Sequence, residues 1–174
     1  MNIYTVRRAT AGLALYLLSN HGGEAQQRGV VIAYDSRAYS QRFAQEAALT
    51  LNSFGIRTYV FDYLTPTPEL SFAVNYRQAI AGIVITASHN PKEYNGYKAY
   101  WDDGAQMLAP HDVNTIKHVE SVKVEDIKFQ GNPALIQVIG EEIDNVFLDA
   151  VKTLSIDPAV IERHKDLKIV YTPI

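Results

Sequence analysis

The sequence predicts an α/β domain of three layers, α/β/α, built on a mainly parallel four-stranded sheet whose last strand runs antiparallel. Three observations carry that expectation. Val30–Tyr34 and residues 83–85 are unbroken apolar runs, the pattern of strands covered on both faces. Helical periodicity alternates with strands up to residue 85, and that order predicts right-handed crossovers within one parallel sheet. Asn95-Gly96 is then a tight-turn signal ahead of residues 97–101, whose strand-forming side chains read as an antiparallel addition.

Taken in order, residues 2–19 read as a helix with Ile3, Val6, Leu13 and Leu17 on one stripe. Arg7 and Arg8 are expected at its solvated edge, and Asn20-His21-Gly22-Gly23 is the stop. Val30–Tyr34 is the first strand, with Asp35-Ser36-Arg37 at its C-terminal edge. Residues 40–53 form the second helix, with Phe43, Ala47, Leu51 and Phe54 inward and Gly55 closing it. β-branched and aromatic residues make 56–61 a strand. Thr67 as N-cap and Pro68 in the first turn start a third helix over 68–79, burying Leu70, Ala73 and Tyr76. It feeds the strand at Ile83. After Asp102, Ala109-Pro110 precedes a helix with Val113, Ile116 and Val119 on one face. Residues 121–132 read as irregular. Ile143, Val146, Phe147, Ala150, Val151 and Leu154 mark a late helix, and residues 168–174 begin as a strand.

At 174 residues the chain is long enough for one domain with a real core. Its 47% hydrophobic and 20% charged residues fit a globular protein. A net charge of −3 argues against a nucleic-acid-binding surface. The absence of cysteine excludes disulfides and thiolate metal sites and fits a cytoplasmic location. No apolar run reaches a membrane span of about 18 residues, and the first residues carry no signal-peptide pattern.

The stretch Ile83-Val84-Ile85-Thr86-Ala87-Ser88-His89-Asn90-Pro91 holds the chemistry. The apolar run stops at small and polar residues, and Pro91 forbids an ordinary continuation of strand or helix. Ser88 therefore sits on a turned loop at the end of a central strand, the edge where open α/β sheets bind ligands. A serine hydroxyl needs a base or a pre-installed phosphoryl group to take part in group transfer. The strand reversed at Asn95-Gly96 brings Lys98 back beside it. Taken without that context, Ser88 also reads as a turn or capping residue and Lys98 as an exposed strand lysine. Arg37 suits phosphate oxygens through its guanidinium, although Asp35-Ser36 also reads as a turn capping the next helix. A serine hydrolase is disfavoured, because no Gly-x-Ser-x-Gly elbow surrounds Ser88. His21, His111, His118 and His164 show no metal-ligand spacing and read as surface residues. Asp102-Asp103-Gly104 reads as a solvated turn.

Thr86-Ala87-Ser88-His89-Asn90-Pro91 with Asn95-Gly96-Tyr97-Lys98 resembles the active-site loop of the α-D-phosphohexomutases, the phosphoglucomutase/phosphomannomutase superfamily. Lys92-Glu93-Tyr94 and Trp101-Asp102-Asp103-Gly104-Ala105-Gln106 look most like its phosphoglucomutase and phosphopentomutase branch. The resemblance implies that Ser88 carries the phosphoryl group and that Lys98 is the general acid/base. It further implies that Arg37 contacts phosphate and that His89 contacts phosphate or orients the phosphoserine, although His89 reads equally as a hydrogen-bonded loop histidine. The implied reaction is a reversible 1-to-6 phosphoryl shift on a sugar phosphate through a bisphosphorylated intermediate. It also implies Mg2+, with Ser88 contributing a ligand only through its phosphoryl group and aspartates of a second domain supplying the rest. A sugar 1,6-bisphosphate is the implied activator. By the same resemblance Met1 follows the family's glycine-rich segment, and Thr172-Pro173 opens a second domain. The chain is thus expected to be cut at both ends, with the first domain over 1–166, the start of a second over 167–174, and no turnover alone. A phosphate-ester-binding module without catalysis is the alternative.

Overall fold

A computed structural model of the chain describes residues 1–172. Five strands, β1 (Val30–Tyr34), β2 (Thr58–Phe61), β3 (Ala81–Ile85), β4 (Tyr97–Tyr100) and β5 (Ile136–Ile139), form one sheet in the order β4-β3-β1-β2-β5. All neighbours are parallel except β3 and β4, which are antiparallel with Val84 opposite Lys98. The expected four strands are present and β5 is a fifth, parallel to β2, so the antiparallel strand is not last in the chain. Ile136-Gln137-Val138-Ile139 is short and sits at an edge with Val138 exposed, so it lacks the continuous apolar signature of the central strands.

Seven helices are described: α1 (Ile3–His21), α2 (Gly23–Arg28), α3 (Ser40–Ser53), α4 (Thr67–Tyr76), α5 (His111–Ser121), α6 (Glu141–Lys152) and α7 (Ala159–Arg163). Alternate residues of β1 build the two outer layers. Val30, Ile32 and Tyr34 pack with Val6, Leu13 and Leu17 of α1 and Phe43, Ala47 and Leu51 of α3. Val31 and Ala33 face Leu70, Ala73 and Val74 of α4 and Ile143 of α6. The chain leaves β1 through α3 to β2 on one side, then crosses back through α4 on the opposite face to β3 on the other side of β1. The carboxyl ends of β1 and β3 are therefore the topological switch point, where a doubly wound sheet opens a crevice.

Several local expectations are corrected. Arg7 is buried rather than solvated, because it pairs with Glu46 of α3 and donates to the Lys128 carbonyl at 2.6 Å. Helix α1 is capped by Asn2, which accepts from the Thr5 amide and donates its own amide to the Thr5 hydroxyl. Pro66, not Thr67, occupies the N-cap of α4, and the helix ends at Tyr76, which is 53% exposed. Val74 takes the buried position instead. Val113 and Ile116 of α5 are exposed, and Thr115 is the residue its packing buries. Of the apolar residues that mark α6, Ile143 is buried, Val146 and Phe147 are half-buried, and Ala150, Val151 and Leu154 are exposed. Residues 168–172 are exposed and not paired as a strand, and Pro173 and Ile174 lie outside the described residues. No helix among the described residues is long and apolar enough to cross a membrane.

Candidate active site

The loop after β3 is shaped by its own short side chains. Thr86 Oγ accepts from the Ser88 amide at 3.0 Å, and the Asn90 amide donates to the Ala87 carbonyl. This turn forces Ser88 to φ 54°, the left-handed region that L side chains adopt at a cost of about 1–2 kcal/mol. A strained non-glycine residue at a sheet's rim is a pointer toward function. Ser88 is exposed, so its hydroxyl is open to a ligand.

Strand β4 brings the amine. The Thr86 amide donates to the Gly96 carbonyl, closing the turn that reverses the chain. Gly96 approaches so closely that a Cβ would overlap the Thr86 carbonyl oxygen. Two residues later Lys98 Nζ donates a hydrogen bond to Ser88 Oγ. The expected serine and lysine, ten positions apart in the sequence, are thus brought together. Next to Lys98, the Tyr97 side chain turns to the other face, where its hydroxyl lies 3.2 Å from Thr10 Oγ. Burial pushes the Tyr97 phenol above the ordinary tyrosine range.

The loop after β1 is the second wall. Asp35 Oδ1 accepts from the Arg37 amide at 3.1 Å and from Ser40 Oγ at 2.7 Å, so the Asp-Ser turn does anchor the start of α3. Arg37 departs from its expected role. Its Nε donates to Asp35 Oδ2 at 3.0 Å, Nη1 to the Pro91 and Tyr94 carbonyls, and Nη2 to the Ser88 and Asn90 carbonyls. A guanidinium has five N–H donors, and all five are spent on protein acceptors. Arg37 lies half-buried against the serine loop, with its donors already engaged by protein acceptors rather than turned to the cleft. His89 is exposed on the loop beside Ser88. An open cleft of about 1000 Å³, lined by Asp35, Arg37, Ser88, His89 and Lys92 among others, lies between the two loops.

Two contributors carried a signal that the motif reading passed over. Thr86 two residues before Ser88 is the spacing of a hydroxyl-to-amide turn. Asn95 does more than turn the chain, donating to the Ala38 carbonyl at 2.9 Å and to Ser40 Oγ at 3.1 Å, which stitches the two loops together. Of the four histidines expected at the surface, His164 is exposed and the other three are half-buried. His21, His111 and His118 gather around Tyr16 and Trp101, with His111 stacked on Trp101 at 3.8 Å between ring centroids. Asp102-Asp103-Gly104 forms the expected turn, in which Asp103 accepts from the Ala105 amide. Among the described residues no three His, Asp or Glu side chains are placed to hold a metal ion.

Comparison with known proteins identifies the family. The family described as phosphoglucomutase/phosphomannomutase, alpha/beta/alpha domain I, matches residues 1–125. The chain is 36% identical over 185 residues to a human phosphopentomutase, covering all of this chain and 30% of that protein. It is 37% identical over 178 residues to a Staphylococcus saprophyticus phosphoglucomutase, covering 99% of this chain and 31% of that protein. The chain therefore spans less than a third of the length of these relatives. A phosphoglucomutase/phosphomannomutase family protein from Burkholderia thailandensis shares the fold, with a TM-score of 0.68 over 88% of this chain and 32% of that one, at 20% identity. With a family match over most of its length and a serine and lysine joined at the switch point of a doubly wound sheet, the chain belongs to the phosphoglucomutase/phosphomannomutase family.

Proposed function

We propose that this chain is the phosphate-carrying first domain, over residues 1–166, of a longer mutase that moves a phosphoryl group between two hydroxyls of a sugar phosphate. Residues 167–174 would open its second domain. The observation that supports this most directly is the hydrogen bond from Lys98 Nζ to Ser88 Oγ at the mouth of an open cleft. The names of the relatives, phosphopentomutase and phosphoglucomutase, point to the same class of reaction.

In this reading Ser88 Oγ holds the phosphoryl group and passes it to a sugar hydroxyl. The P–Oγ bond breaks as the new P–O bond forms, and the acceptor's proton leaves to a base. A bisphosphorylated sugar results, and transfer from its other phosphate restores the serine. The task for the protein is alignment and neutralisation of the phosphoryl oxygens. Lys98 is the group placed to exchange the proton and to face the developing charge. His89, exposed on the same loop, would bind phosphate. Mg2+ would supply further charge neutralisation when bound. Of its ligands this chain fits only one, an oxygen of phosphorylated Ser88, and the others would come from sequence beyond these residues. A sugar 1,6-bisphosphate would prime the serine, the sugar phosphate is the substrate, and the location would be cytoplasmic.

The decisive test uses the intact protein that contains this chain. Ser88→Ala should abolish isomerisation of sugar phosphates while leaving their binding largely intact. Retained turnover in that variant would defeat the proposal, and binding without any phosphoserine in the wild type would favour a phosphate-ester-binding module. The 174-residue chain alone, given a sugar bisphosphate and magnesium, should show no isomerisation.

A further inference from the structure

We infer that Arg37 is a positioning residue, which fixes the phosphate-carrying serine by gathering four carbonyls of its loop on one guanidinium without itself touching the phosphate. The inference rests on the functional reading above and assigns a role that the serine–lysine pair does not explain.

The geometry is specific to arginine. The carbonyls of Ser88, Asn90, Pro91 and Tyr94 converge on Nη1 and Nη2 at 2.6–3.1 Å. Carbonyls that point inward at one spot repel one another unless a cation with several directed donors lies between them. A planar guanidinium offers five donors in fixed directions, whereas an ammonium offers three from one point and cannot span four carbonyls plus a carboxylate. Asp35 takes the fifth donor at 3.0 Å and so sets the plane of the group. Asp35 is in turn held by the Arg37 amide and by Ser40, a fully buried residue at the start of α3. The chain of support runs from β1 and α3 through Asp35 to Arg37, and from Arg37 to the Ser88 carbonyl. The left-handed conformation of Ser88 needs such support to persist, because nothing intrinsic to serine favours it. A phosphate oxygen could bind Arg37 only by displacing a carbonyl that is already bonded.

The consequence for transfer is one of aim. Misplacement of a reacting group by about 1 Å costs on the order of 10²-fold in rate. In the intact protein Arg37→Lys should lower kcat by roughly that factor with KM for the sugar phosphate little changed. Added guanidinium should restore part of the kcat of Arg37→Gly, since it supplies the missing donors. A raised KM with kcat preserved would show that Arg37 binds the substrate's phosphate and would overturn the inference.

A second measurement separates this from the functional reading. In the 174-residue chain, hydrogen exchange of the amides between Ser88 and Tyr94 should accelerate in Arg37→Lys, with far-UV circular dichroism unchanged. If that variant does not fold, Asp35→Asn should accelerate the same amides to a smaller degree. Unchanged exchange in that loop overturns the clamp whether or not the protein is a mutase. Absence of phosphoryl transfer in the wild-type intact protein defeats the functional reading while leaving the exchange result to judge the clamp.

Discussion

At Ser88 the backbone is strained, the side chain is exposed, and the hydroxyl has a single amine partner. The motif made Ser88 and Lys98 legible as a pair, because a turn signal ten residues downstream of a strand fixes where the next strand returns. Arg37 was legible only as a cation near the serine loop. Whether its donors meet ligand or protein depends on carbonyls more than fifty residues away, and no local pattern encodes that. Glu69 shows the same dependence. It lies in the first turn of α4, where an acidic side chain is favoured, yet its Oε1 is buried without a partner. Burial raises its carboxyl above the ordinary range. A raised folded-state value means that Glu69 contributes stability below the unfolded pKa of about 4.3, lost as pH rises through the folded value. Above both, the ionised group is a standing cost. Glu69→Gln should therefore unfold at higher temperature than wild type at pH 7–8, with the gap closing towards pH 4. Equal melting curves at neutral pH would mean that the carboxylate is adequately solvated.

Among the elements, α1 and α5 pack most intimately. Gly12 of α1 faces Val119 of α5 so closely that a Cβ would lie 2.5 Å from the Val119 Cα. No side-chain movement relieves a backbone overlap, so the helices must separate. Gly12→Ala should cost about 1–3 kcal/mol in urea-induced unfolding, despite the better helix propensity of alanine. A neutral or stabilising result would show that α5 can shift freely. Arg8 holds the same junction from outside, donating to the carbonyls of Val119, Glu120 and Val122 at the end of α5. This close approach explains why the apolar stripe of α5 misleads. Val113, Ile116 and Val119 have helical spacing, but it is Val119 that meets Gly12 of α1 and Thr115 that is buried, bonded to the Met107 sulfur, while Val113 and Ile116 stay exposed. Periodicity reports that a helix has an apolar face. It does not report which residue meets the neighbour first.

Across the whole molecule, one buried ion pair joins distant parts of the chain. Arg7 of α1 pairs with Glu46 of α3, donates to the Lys128 carbonyl, and lies 4.5 Å over the Phe129 ring. It thereby fastens the irregular segment after α5 across the helical layer, where Val122 and Ile127 pack on Ala11. Arg7→Met should cost roughly 3 kcal/mol, since Glu46 would stay buried with only Arg42 as a partner. Replacing Glu46 by leucine in that background should recover much of the loss, and urea unfolding of the two variants checks both expectations. From α7 to residue 172 the described chain is exposed throughout, although α6 and the tail carry many apolar residues. The central strands, the helices that flank them, and the serine–lysine loop were determined by the sequence itself, because apolar runs, helical spacing and turn residues act over a few positions. The fifth strand, the burial of Arg7 and the use to which Arg37 puts its donors were decided only by the tertiary structure. Each is a choice of partner between residues far apart in the chain, and such choices are made by which surfaces the packed layers bring within hydrogen-bond reach.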